Sequence, residues 1–262
     1  MKLLRYAGYA LAVLLVVGIA AIDCRAEPDT ELAGRAGRFI PLDGPYAYKV
    51  EYLGLKCGHV TLQSSREVFE GRPAYHIVMT VRNSKFFNRI YKVHGRIESW
   101  IDAETLSTLA FESVIVEKGK TRIKRFHIDP EAGEVTAETH GEITTTPYDG
   151  GPALDPLAFV FRSRLLAATR ETTFRLILLT EKGPVETISQ VGELKRFRTF
   201  EGEKKLLRVQ PMTIDAEMFS RKGELVMWID PGGVKLLHRL DFKLGFGRLV
   251  AKLVGPAPAA GS

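Results

Sequence analysis

The stretch "RIYKVHGRIESWID" (residues 89–102) alternates with a period of two. Its odd positions hold Tyr91, Val93, Gly95, Ile97 and Ile101, while its even positions are mostly charged. Alternation of this kind marks a strand with one face buried and the other wet. The pattern extends outward in both directions. "YAYKVEYLG" sets Tyr46, Tyr48, Val50 and Tyr52 on one face, and "HVTLQSSREVF" sets Val60, Leu62 and Ser64 on one face. "AYHIVMTVRNS" does the same with Tyr75, Ile77, Met79 and Val81. Turn signals punctuate the rest: "EKGK" at 117–120, "DPEAG" at 129–133, "EKGP" at 181–184, "EGE" at 201–203, "RKGE" at 221–224 and "DPGG" at 230–233. Glycine supplies positive φ there and proline sets the approach, so these are hairpin connections. About fourteen strands, mostly sequential neighbours, predict an all-β, mainly antiparallel meander. A sheet of that size curls or splits into layers, so a large curled sheet or half-barrel is expected.

One segment breaks the pattern. In "LDPLAFVFRSRLLAATR" the period becomes about 3.6 residues. Asp155 suits an N-cap and Pro156 the first helical position. Leu157, Val160, Phe161, Leu165 and Ala168 recur at helical spacing, with Arg162, Ser163 and Arg164 interrupting them. This predicts one amphipathic helix over 155–169, about 21 Å long. The halves on either side, 46–140 and 173–254, show no internal repeat, so a single domain over 46–254 is expected, as one sheet or two.

A one-sided sheet must cover its apolar face. The helix serves that need either as core filling or as the plug of an apolar cavity on the concave side. In the second reading Leu157, Phe159, Phe161 and Leu165 line the cavity, joined by Phe86 and Phe87 of the "SKFFN" loop. The two loop phenylalanines either pack under their loop or form a hydrophobic lip.

The N-terminus reads as an export signal. Lys2 and Arg5 precede the uncharged run "YAGYALAVLLVVGIAAI" at 6–22, and Cys24 and Ala26 stand at −3 and −1 of a cleavage site before Glu27. A signal helix over 1–26, removed on export to the periplasm or beyond, is the first expectation. An uncleaved anchor is the second, because the apolar run is at the short end of the spanning range; only then would the leader contact the membrane. Lipidation at Cys24 is disfavoured by Asp23 before it. Cleavage removes Lys2, Arg5, Arg25 and Asp23, so the formal charge falls from +6 to +4. Cys57 is then alone and no internal disulfide is expected. Residues 27–45 read as a flexible lead-in and 255–262 as a disordered tail.

Chemistry-bearing patterns are sparse. The sequence has no G-x-S-x-G elbow, H-E-x-x-H, P-loop or strand-borne G-x-G-x-x-G, so no catalytic residue, cofactor or metal is expected. His76 and His94 fall on adjacent strands and are a zinc alternative, weakened by the absence of nearby ligand types. Glu98 and Asp102 share a face but stand roughly 13 Å apart along the strand, too far to act as a pair. Trp100 and Trp228 both occur in "WID", read as an indole closing a strand and an aspartate opening a turn, with sugar stacking as the lesser alternative. The basic runs "TRIKR" at 121–125 and "LKRFRTF" at 194–200 read as solvated faces balanced by acids, or else as a surface for anionic lipid or polymer. Nucleic acid is not an expected partner of an exported chain.

In order, "YAYKVEYLGLKCGHVTL", "RIYKVHGRIESWIDAETLSTL", "LDPLAFVFRSR" and "LVMWIDPGGVKLLHRLDFKLGFGRLVAKL" resemble the bacterial exported proteins grouped as domain-of-unknown-function 3108 (DUF3108). The resemblance spans about residues 45–254. It implies export to the envelope and a β-rich fold, and no established activity. The resulting expectation is a non-enzymatic binder of a lipophilic or amphiphilic molecule. The alternatives are an envelope scaffold that meets a protein partner and, behind it, a hydrolase.

Overall fold

A computed structural model describes residues 45–257, apart from 90–91, 130–131, 140, 149–152, 168–171, 181–182, 214–223, 233–234 and 245–246. The expected leader, nearly all of the lead-in and the last residues of the tail lie outside the described residues.

The chain first lays down β1 (Tyr46–Tyr52), β2 (Leu55–Phe69) and β3 (Arg72–Asn83), then a single helical turn, α1 (Lys85–Asn88). Five more strands follow: β4 (Val93–Asp102), β5 (Thr108–Glu117), β6 (Lys120–Asp129), β7 (Glu134–Thr139) and β8 (Glu142–Pro147). The short β9 (Ala153–Leu154) leads into α2 (Pro156–Leu166). The second run comprises β10 (Thr173–Thr180), β11 (Gly183–Thr199), β12 (Gly202–Thr213), β13 (Glu224–Ile229), β14 (Leu237–Leu244) and β15 (Gly247–Pro256). These fifteen strands of the described residues form one sheet, in the order β8 to β1 and then β15 to β9.

The two halves are therefore one sheet, joined at its centre. β1 pairs antiparallel with β15, from Tyr46 opposite Pro256 to Tyr52 opposite Leu249. β15 thus runs two residues into the stretch read as tail, and the Ala257 amide donates to the Pro45 carbonyl at 2.6 Å. Every pairing is antiparallel except β9 with β10. The edges, β8 and β9, are neighbours in sequence.

Alternation decides which face is inside. Tyr48, Val50 and Tyr52 are buried on β1, and Val93, Ile97 and Ile101 on β4. Side chains of β1–β5 and β10–β15 line one common space, which requires the sheet to curl until its halves face each other. Gly95 on β4 has no room for a side chain. A Cβ there would lie 2.7 Å from the Val114 carbonyl oxygen and collide with the Ile115 side chain. Gly95→Ala is accordingly expected to cost about 1–3 kcal/mol by overpacking, read in a urea unfolding curve.

Antiparallel connectivity sorts the loops into two ends. The turns at 70–71, 103–107 and 200–201 and the connection before β14 share one end. The turns at 53–54 and 118–119 and the segment 84–92 share the other.

Both "WID" segments behave as matched strand ends. Asp102 Oδ1 accepts the Glu104 and Thr105 amides at 2.9 and 2.8 Å, and Asp230 Oδ1 accepts the Gly232 amide at 2.9 Å. The Trp100 and Trp228 indoles donate to Glu67 and Asp241 at 2.7 and 2.8 Å. Trp100 also stacks on His76, with centroids 4.6 Å apart.

Candidate functional site

The helix α2 is held at its start by a buried carboxylate. Asp155 Oδ1 accepts the Leu157 and Ala158 amides at 2.7 and 3.1 Å, which are donors the first helical turn leaves unpaired. Its Oδ2 accepts the hydroxyls of Ser99 on β4 and Thr108 on β5 at 2.6 and 2.7 Å. The Asp155 amide donates back to Thr108 Oγ1 at 2.8 Å. One side chain thus caps the helix and ties it to two strands. Burial raises the carboxyl above its ordinary pKa, and the hydroxyl and amide donors oppose that rise.

The helix is shorter and more enclosed than its spacing predicts. It ends at Leu166, and residues 168–169 of the expected span lie outside the described residues. Arg162, Ser163 and Arg164 are buried along with Leu157, Ala158, Phe159, Phe161 and Leu166. Arg162 Nη1 donates to the Thr105 carbonyl at 3.1 Å and Arg164 Nε to the Lys235 carbonyl at 2.5 Å. Both carbonyls belong to connections at the same end of the sheet, so the arginines clamp the helix there. The Arg164 guanidinium also lies 4.8 Å from the Phe161 ring centroid. Burial pulls the Arg164 guanidinium down to about 10 and pushes the Tyr48 phenol up to about 12. The Tyr48 hydroxyl donates to the Leu237 carbonyl at 2.9 Å.

On the inner side of the helix the core is hollow. A cavity of about 150 Å³ is bounded by Leu157, Phe159, Val160 and Phe161 of α2. Leu62, Met79 and Ile97 face it from one half of the sheet, and Leu178, Leu240 and Phe242 from the other. The wall is almost wholly apolar, with the Tyr48 phenol and the Thr187 hydroxyl as its polar groups. An apolar space of this size can take a small apolar guest.

The residues singled out from the sequence divide into three groups. Leu157, Phe159 and Phe161 lie together at the cavity. Leu165 does not; it borders a smaller hollow with Tyr75, Ile101 and Leu106 on another side of α2. Phe86 and Phe87 belong to α1 at the opposite end of the sheet and do not bound the cavity. Phe87 is packed under its loop, as one reading of the pair expects, whereas Phe86 is exposed to solvent. Helical spacing could not give this division, because it depends on which end of the curled sheet each connection reaches.

His76 bonds Glu67 and Glu98 at 3.2 and 3.0 Å. His94 is opposite Arg82 and His76 opposite Trp100, so the two histidines are roughly 20 Å apart along their strands and form no zinc pair. In the basic run at 121–125, Arg125 is held by Glu112 and Glu138, and Arg122 lies 3.3 Å from Glu117, so acids balance that face. Cys57 is a buried thiol, pushed up to about 12 by burial. Sequence reading missed a cluster in which Glu201, Asp230 and His238 bring ligand atoms within 4.8 Å of one another. The Lys204 ammonium sits between the carboxylates, 2.8 Å from Glu201 and 2.7 Å from Asp230, and supplies the charge a cation would bring. The cluster joins residues far apart in sequence, and no local motif announces it.

Comparison with known proteins bears on the fold. The family model described as "Protein of unknown function (DUF3108)" matches residues 47–254. No curated protein matches the chain. Among solved structures, the chain is similar to a β-barrel-like protein of domain of unknown function DUF1849 from Brucella abortus. The TM-score is 0.57 at 11% identity, over 85% of this chain and 100% of that one. A Bacteroides fragilis protein with a YmcC-like fold is also similar, at TM-score 0.32 and 9% identity, over 84% of this chain and 99% of that one.

Proposed function

For this chain, which belongs to the DUF3108 family of proteins of unknown function, we propose the role of an exported, non-enzymatic carrier of a lipophilic or amphiphilic molecule. The observation that carries this reading is the apolar cavity between α2 and both halves of the curled sheet. A folded core is normally filled to crystal-like density, so a void lined by Leu, Ile, Phe and Met leaves stability unused. An apolar occupant recovers it, at roughly 0.8 kcal/mol per methylene buried. The signal-like leader supports a periplasmic or other exported location, and the scarcity of nucleophile–base arrangements supports binding over catalysis. The wall's hydroxyls, Tyr48 and Thr187, donate their protons to the Leu237 and Leu176 carbonyls at 2.9 Å each, so toward a guest's polar head they act as acceptors.

The test uses a fluorescent apolar probe such as N-phenyl-1-naphthylamine. Val160 is half-buried and bounds the cavity, so Val160→Trp fills the space from within the helix. The expected result is about a tenfold or greater loss of probe affinity, equivalent to two lost methylene contacts, with the melting temperature retained. Full probe binding in folded Val160→Trp overturns the carrier reading. Leu165→Glu does not test it, because Leu165 borders the other hollow.

A scaffold role is favoured by a different observation. All six residues of the edge strand β8 are exposed, leaving an edge that a partner strand can extend. A pull-down that returns a protein and never a lipophile would select it.

A further inference from the structure

The end of the sheet opposite the α2 clamp carries exposed apolar side chains on two adjacent connections. Leu53, Leu55 and Phe86 are 52%, 65% and 64% exposed there. They sit on adjacent connections: Leu53 lies in the β1–β2 turn and Leu55 follows it, and the Ser84 amide before α1 donates to the Cys57 carbonyl at 2.9 Å. Leu53 occupies a left-handed position, at φ 49°, followed by Gly54 at φ 82°. Asn, Asp or Gly is the natural occupant of that position in a two-residue hairpin, so an apolar tip is kept there against backbone preference.

The same end of the sheet is rich in cations. Lys56, Arg82, Lys85, Arg89, Lys92 and Arg248 are all exposed. The Leu53 amide donates to the Arg248 carbonyl at 3.2 Å, which places that strand beside the tip. Lys56 and Arg82 crowd the His59 imidazole and help hold it below its ordinary pKa, after burial as the main cause. The nearby acids are engaged elsewhere: Glu51 by Lys49 and Lys252 at 2.6 and 2.5 Å, and Glu117 by Arg122 at 3.3 Å.

We propose that this end docks on an anionic lipid bilayer, with Leu53, Leu55 and Phe86 entering the interface and the Lys and Arg side chains of the same end meeting the headgroups. Three side chains on two connections are too few for a stable protein interface, which takes roughly 800 Å² from each partner. They suit shallow insertion, where apolar contact and attraction to negative headgroups add. The proposal stands beside the carrier reading and does not require it.

The test is flotation of the purified protein with vesicles of phosphatidylglycerol and phosphatidylethanolamine, against vesicles of phosphatidylcholine. Binding is expected to favour the anionic vesicles by about tenfold or more and to fall as salt rises. The double variant Leu55→Glu/Phe86→Glu and the double variant Lys56→Glu/Lys85→Glu are each expected to lose about tenfold or more. Val68→Glu is the control, because Val68 is 72% exposed at the other end and its loss should change nothing. All variants change exposed residues, and an unchanged melting temperature confirms folding. Equal flotation of wild type and both double variants, or equal binding to neutral and anionic vesicles, overturns the proposal; so does capture by a protein receptor with no vesicle binding. Cavity occupancy by the fluorescent probe should be unchanged in both double variants, so failure here is distinguishable from failure of the carrier reading.

Discussion

Asp155→Ala is expected to lower the melting temperature by about 10 °C, corresponding to ~3 kcal/mol for a domain of this size. The loss has two sources. The Leu157 and Ala158 amides lose their cap, which costs about 1 kcal/mol. The Ser99 and Thr108 hydroxyls lose a buried acceptor, at about 1–3 kcal/mol for groups left unsatisfied. Asp155→Asn keeps an acceptor for the amides and should recover most of the stability. The pair also carries a pH signature. The folded-state pKa of Asp155 is raised by burial, so the native protein binds this proton more readily than the unfolded chain does. Wild type should therefore gain stability relative to Asp155→Asn as pH falls through the folded pKa toward the ordinary 3.8. Unfolding curves of both proteins at several pH values check this; a difference that moves the other way would show the carboxylate to be favoured in its charged form.

Arg164→Ala is expected to cost about 3 kcal/mol, close to the effect of a large-to-small change in a core. It removes the donor to the Lys235 carbonyl and the group stacked over Phe161, and leaves a void at the clamped end. Arg164→Met separates charge from volume. A buried charge pays heavily for its lost hydration, and an apolar side chain of similar size is often neutral or better. Arg164→Met should therefore lie within ~1 kcal/mol of wild type in chemical denaturation. If it is as damaging as alanine, the hydrogen bond to Lys235 governs the clamp; if alanine is harmless, the helix is not clamped there.

The period-two runs made the fold legible. Tyr48, Val50 and Tyr52, or Val93, Ile97 and Ile101, can be assigned inward from spacing alone, because a one-residue slip would put all of them in water. The position of β15 beside β1 was not legible, because nothing local distinguishes a last strand that pairs with the first from one left at an edge. Half of the site was readable for a similar reason. Asp155-Pro156 announced the helix start, and Leu157, Phe159 and Phe161 did reach the cavity. Spacing misplaced Leu165, since all sides of a buried helix meet packing partners, and gave no hint that Arg162 and Arg164 turn inward to loop carbonyls. Phe86 and Phe87 are adjacent in sequence, yet a single helical turn points one in and the other out.

The pairing of β1 with β15 also bears on how the protein is made. The Glu51–Lys252 ion pair and the ladder around it link parts of the chain about 200 residues apart in sequence. Each half can assemble from neighbouring hairpins, but the seam between them cannot zip until the last strand has been synthesised and delivered. A chain threaded through a membrane from its N-terminus would meanwhile present β1 as a bare edge, vulnerable to foreign strands, for nearly the whole of its passage.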